Sequence, residues 1–154
     1  MYGVSKITSQ PDVMLVTFPA AEYSARSAAN HLDAFAQNGV VVDMICQSAP
    51  RGTRFDLSFT TCGDAFAAVM QVITKLAPDK QQAPLISRGY SKLNLFGEEM
   101  VTSCGVAARA LSALADENIE VALITTSDLD ISLLVREENE DVALSALHKA
   151  FCVD

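Results

Sequence analysis

The chain has 154 residues, half of them apolar and 19% charged, with a formal net charge of −8. That balance supports a packed core in one ordinary domain or two small ones, and it argues against nucleic acid and anionic membrane surfaces as partners, since both call for Lys and Arg. No apolar run approaches the roughly 20 residues of a membrane-crossing helix, and the opening MYGVSKITSQ lacks the build of a signal peptide.

In chain order, residues 2–9 read as a strand with no obvious partner. Residues 12–18, DVMLVTF, are a short apolar run with β-branched members, hence a strand. Residues 26–37 place Ala28, Ala29, Leu32, Phe35 and Ala36 on one helical face. A second strand is expected over 39–47, and APRG at 49–52 is turn chemistry. Residues 53–61 alternate Phe55, Leu57 and Phe59 with polar neighbours, as a strand with one wet face does. A helix over 64–76 carries Ala65, Val69, Ile73 and Leu76, and residues 83–88 close the sheet. The second half repeats the pattern. A strand is expected at 92–97 and a helix at 104–117 with Val106, Ala107, Ala110, Leu111 and Leu114 inward. Strands 118–125 and 129–136 follow, then a helix at 139–150 with Val142, Ala146, Leu147 and Ala150 inward.

The two halves register on each other, which outranks any single motif as evidence of architecture. Ala28, Leu32, Val40 and Ser48 fall 79 positions before Ala107, Leu111, Ile119 and Ser127, and Val13 to Val16 fall on Lys92 to Leu95 at the same offset. From Asp56, which falls on Asp130, the offset is 74. The expected fold is α+β, an α/β sandwich of two ferredoxin-like βαββαβ units. Each has an antiparallel sheet with its helices on one face. The first unit spans 10–90 and the second 91–154. The second has no room for a last strand, so residues 2–9 are expected to fill that place, because an unfilled edge invites pairing with another chain. The duller alternative is a frayed N-terminal arm.

Four cysteines, Cys46, Cys62, Cys104 and Cys152, are scattered without a C-x-x-C. Reduced thiols in a cytoplasmic protein are expected, rather than zinc ligands or a disulfide framework. His31 and His148 both sit in helical patterns and read as helix residues rather than bases. No cofactor or metal is expected.

VVVDMICQS, GTRFDLSFT, LFGEEM, GVAARALSALADENIEVALITTSDLDISLLV and ALHKAF, in this order, resemble the tandem ACT regulatory region of aspartokinases. The resemblance covers almost the whole chain. The family's kinase signature is missing from it, and so is any G-x-x-x-x-G-K-[ST] phosphate cradle. No catalysis by this chain alone is therefore expected. The resemblance implies a regulatory module that binds a small amino acid, lysine or threonine, at interfaces between ACT units. It further implies a homodimer and pairing with an aspartokinase catalytic chain. The alternative is a ligand-free dimerisation or interaction module that pairs with a kinase subunit.

The same resemblance assigns candidate effector contacts. Gln47 matches the family's effector-contacting glutamine, with Ser48 beside it. Tyr23 stands where the family carries an Asp that contacts the effector. Gly105 stands at the glycine of the family's Pro-Gly pair, with Cys104 in place of the proline, while Ala25-Arg26 takes that place in the first unit. Glu120-Val121 occupy the position of an Asn-Ile pair whose backbone meets the effector, and Thr126 lies in TTSD, which matches a hydroxyl-rich segment. The plain reading of these last residues is strand-end and turn chemistry.

Overall fold

The computed structural model describes residues 2–76 and 83–153. Ten elements follow in order: β1 (Lys6–Glu22), α1 (Ala25–Ala36), β2 (Ile45–Gln47), β3 (Arg54–Cys62), α2 (Phe66–Leu76), β4 (Leu85–Phe96), α3 (Val106–Asp116), β5 (Leu123–Thr126), β6 (Asp130–Arg136) and α4 (Glu140–Phe151). The hydrogen-bonded strand order is β2-β3-β1-β4-β6-β5. The chain divides into a continuous unit, Asp12–Arg88, and a split unit, Met1–Pro11 with Gly89–Asp154. Since β1 and β4 each pass from one unit into the other, they count in both. The order is β2-β3-β1-β4 in the continuous unit and β1-β4-β6-β5 in the split one.

Each unit has its own core, built by the period-2 alternation of its strands against two helices. In the continuous unit, Met14, Val16 and Phe18 of β1 and Phe55, Leu57 and Phe59 of β3 meet Phe35 of α1 and Val69 and Val72 of α2. Phe35 and Phe59 pack edge to face with centroids 4.9 Å apart. In the split unit, Leu93 and Leu95 of β4 and Ile131, Leu133 and Val135 of β6 meet Ala110 and Leu114 of α3 and Leu147 and Phe151 of α4. Val4 belongs to that core and is fully buried, and the Ser5 N–H donates to the Phe96 carbonyl at 2.8 Å.

Several expectations shift. The strand expected over 39–47 forms a ladder only at Ile45–Gln47. Before it, the pairing bulges at Thr60: its carbonyl accepts from the Asp43 N–H at 2.9 Å, its N–H donates to the Met44 carbonyl at 3.0 Å and its hydroxyl accepts from the Met44 N–H at 3.0 Å, while Thr61 donates to the Val41 carbonyl at 2.7 Å. The strand expected over 118–125 likewise begins at Leu123. β1 and β4 are longer than expected, because the short apolar runs are joined to their neighbours through Pro11-Asp12 and Arg88-Gly89.

Two helix faces differ in part from expectation, although Val69 and Ile73 of α2 and Leu147 and Ala150 of α4 do meet their cores. In α4 the buried row is Ala143, Leu147 and Phe151, while Val142 is 48% exposed. In α2, Val72 is buried and Leu76 is exposed. In α1 and α3, Leu111 is exposed and so are Ala29 and Ala36.

The strand register corrects the repeat. Phe59 pairs with Val16, and its counterpart Leu133 pairs with Leu93. Val16 therefore corresponds to Leu93, not to Leu95. The first strands match at an offset of 77, and the loop from strand to helix is two residues longer in the split unit. A shift of two keeps every side chain on its face, so hydrophobic pattern is blind to it. The offset of 79 does hold for the second strands, where Ile45 pairs with Phe59 and Ile124 with Leu133.

Candidate functional site

The candidate residues fall into two groups, one in each unit. In the continuous unit, Tyr23 and Gln47 lie at the C-terminal ends of the parallel-running β1 and β2. Tyr23 is 51% exposed; its N–H donates to the Thr53 carbonyl at 2.8 Å, and its ring meets the edge of Phe55 at 6.1 Å. Gln47 is exposed and pairs with Leu57 in the ladder. Ser48 has structural work to do. Its hydroxyl accepts from the Asp56 N–H at 2.8 Å and donates to the Ala49 carbonyl at 3.2 Å. Ser127 repeats this in the split unit, accepting from the Asp130 N–H at 3.1 Å. Asp56 also receives the Ala20 N–H at 2.8 Å and pairs with Arg51 at 2.8 Å. Ala20 takes a positive φ of 52°, at the register shift between Phe18 and Ala21.

The helix that follows is closed to a ligand carboxylate at one of its donors. Ser24 is the N-cap of α1, and its hydroxyl accepts from the Ser27 N–H at 3.0 Å. A side-chain cap occupies an N–H that an anion would otherwise use. The cap has a sequence signal, a serine three residues before another small polar residue at a helix start.

The split unit differs. Gly105 is the N-cap of α3 in the left-handed region, φ 82°, with no side-chain cap bond. Glycine takes that conformation without steric cost. Tyr2, Ser103, Cys104, Gly105, Val106 and Arg109 line a recess of about 240 Å³ there. Arg109 brings a cation to it, and the Arg109 N–H donates to the Gly105 carbonyl at 3.0 Å. Thr126 ends β5 opposite Ile131, and the Gly97 N–H at the start of the Gly105 loop donates to the Leu129 carbonyl at 3.0 Å. Gly105 and Thr126 thus share one end of the split unit's sheet. Glu120 and Val121 do not join them: the Ala122 N–H bonds the Leu134 carbonyl, which places this pair at the far end of β6. Glu120 is exposed, and Val121 packs on the core.

The sequence reading missed Tyr2 and Arg109. An aromatic residue in an N-terminal stretch and an arginine one turn into a helix carry no mutual spacing signal. His31 bonds the Ser27 carbonyl at 2.7 Å and stacks edge-on against Phe18 at 4.5 Å, as a helix residue does. Cys46, Cys62, Cys104 and Cys152 are all free thiols. Among the described residues, no cluster of His, Cys, Asp and Glu could hold a metal ion, and no helix is long and apolar enough to cross a membrane.

Two units of this strand order, the split one with its last strand supplied from the N-terminal residues, form an ACT-type fold. The family model described as ACT domain matches residues 93–151, so that stretch is an ACT domain. The chain's similarity extends further, to the regulatory region of aspartokinases. The aspartokinase of Geobacillus stearothermophilus is 30% identical over 148 residues, which cover 96% of this chain and 36% of that protein. The aspartate kinase from Synechocystis superposes with a TM-score of 0.92 at 26% identity, over 99% of this chain and 27% of that one. The ligand-free regulatory subunit of aspartate kinase from Thermus thermophilus superposes with a TM-score of 0.87 at 23% identity, over 97% of this chain and 99% of that one, and so shares its fold. The chain spans about a third of the length of the curated relatives it matches. The sequence carries an ACT domain and no kinase signature.

Proposed function

We propose that this chain binds a small free amino acid, lysine or threonine, and passes the event to an aspartokinase catalytic chain as a homodimeric regulatory module. The two ACT units would be residues 12–88 and 89–154, with the N-terminal strand completing the second. The observation that carries the reading is the bare start of α3 at Gly105. It offers backbone N–H groups and the positive end of a helix dipole inside a recess of about 240 Å³. An α-carboxylate fits those donors with Arg109 beside them. Thr126, at the same end of the sheet, supplies a hydroxyl, while Gln47 and Tyr23 serve the continuous unit. The Ser24 cap supports unequal roles for the units, with the stronger site at Gly105.

Regulation requires that the ligand prefer one of two arrangements of the module. Calorimetric titration with lysine, threonine and other amino acids should give saturable heat with at least one of them. Gly105→Ala, which forces a Cβ into the left-handed region, should weaken it by about five- to thirtyfold, on the order of 1–2 kcal/mol. Absence of heat and of a thermal shift with every amino acid would exclude the reading.

A further inference from the structure

Tyr2 lies against Arg109, with the guanidinium carbon 3.7 Å from the ring centroid. The same guanidinium donates from Nη1 to the Ala150 carbonyl near the end of α4 at 3.1 Å. One side chain therefore ties together the N-terminal residues, the first turn of α3 and the last turn of α4. The neighbouring backbone is fitted closely. A Cβ on Gly97 would run into the Gly3 carbonyl, and one on Gly3 would lie 3.1 Å from the Ser103 side chain and from Val106 Cγ2. Tyr2 and Arg109 form a wall of the Gly105 recess, and on their other side they border a second recess of about 400 Å³ that reaches Glu117 and Lys149. The stack is thus a partition between the two.

We propose that Tyr2 and Arg109 are positioning residues: their stack clamps residues 2–5 against the loop 97–105 and so sets the shape of the Gly105 recess. The clamp stands on contacts within the chain, and only its effect on ligand affinity rests on the amino-acid-binding reading above. A planar guanidinium stacks on a ring and keeps donors free at its edge, which is the arrangement found here.

Hydrogen exchange on the full chain tests the clamp. Tyr2→Ala and Arg109→Gln should speed exchange at Ser5 and over residues 97–106 by roughly two- to fivefold, the range expected of an exposed cation–π contact. Exchange in β3 should stay unchanged, which also shows that the variants fold. Tyr2→Phe should behave as wild type, because the ring makes the contact. Wild-type exchange over 97–106 in both Tyr2→Ala and Arg109→Gln overturns the clamp. In titrations with L-lysine and L-threonine, Tyr2→Ala, which leaves the Arg109 cation in place, should bind more weakly by a similar factor, and Tyr2→Phe should not. Equal affinity of Tyr2→Ala and the wild-type chain overturns the positioning role. Absence of heat with the wild-type chain refutes the binding reading instead, and the exchange measurement still decides the clamp.

Discussion

At the scale of single residues, small side chains and hydroxyls settle where the backbone goes. Ser48 and Ser127 sit at matching ends of β2 and β5, and each closes its hairpin by accepting the N–H of an aspartate, Asp56 or Asp130. Gly39 and Asn118 match in the same way. Both take a positive φ, 72° and 58°, just past α1 and α3. Gly97 is required for a different reason: its φ of −175° suits any residue, but a Cβ there has no room beside the Gly3 backbone. Gly97→Ala should displace the N-terminal residues and cost about 1–3 kcal/mol, as overpacking does, read from urea denaturation. A variant as stable as wild type would show that residues 3–5 are not held where they lie.

At the scale of elements, α4 shows how far pattern reasoning reaches. ALHKAF was legible as a helix, yet the choice of Val142 for its inner face was wrong. Apolar residues at 142, 143, 146, 147 and 150 leave two overlapping stripes, and Phe151 decides between them once the helix is seen to run one residue further. Phe151→Ala should cost roughly 3–5 kcal/mol in thermal unfolding, as for a fully buried aromatic. Val142→Ala should stay within about 0.5 kcal/mol, and the reverse ranking would refute the assigned face. The shortness of β2 was hidden for another reason. Val40 to Met44 look like strand, but the pairing bulges there: the Asp43 and Met44 N–H groups both bond Thr60, one at its carbonyl and one at its hydroxyl, a tertiary arrangement that no local pattern encodes. The candidate site was half legible: Gly105 stands out by its glycine and Gln47 by the motif around it, while Tyr2 and Arg109 meet only in the folded chain.

At the scale of the whole molecule, the sequence repeat revealed the duplication but not its exact register, since the two-residue slip in the first strand leaves the apolar faces unchanged. The strand order ends in β2 and β5, which expose Ile45 at 48% and Ile124 at 37%. Open edges that expose isoleucines suit pairing with a second copy. Sedimentation should give twice the 16.5 kDa chain mass at micromolar concentration, and Ile45→Lys should shift the balance toward single chains. A wild-type chain that stays at 16.5 kDa at every concentration would rule out the homodimer.

The nesting of Asp12–Arg88 inside the split unit sets a timetable for biosynthesis. Residues 2–9 are made before the nested unit, yet their neighbour in β4 is made almost ninety codons later. At roughly 5–20 residues per second, they wait on the order of 4 to 18 seconds, while the nested unit can fold ahead of them. A segment made ahead of the nested unit thus finds its place only after that unit is complete.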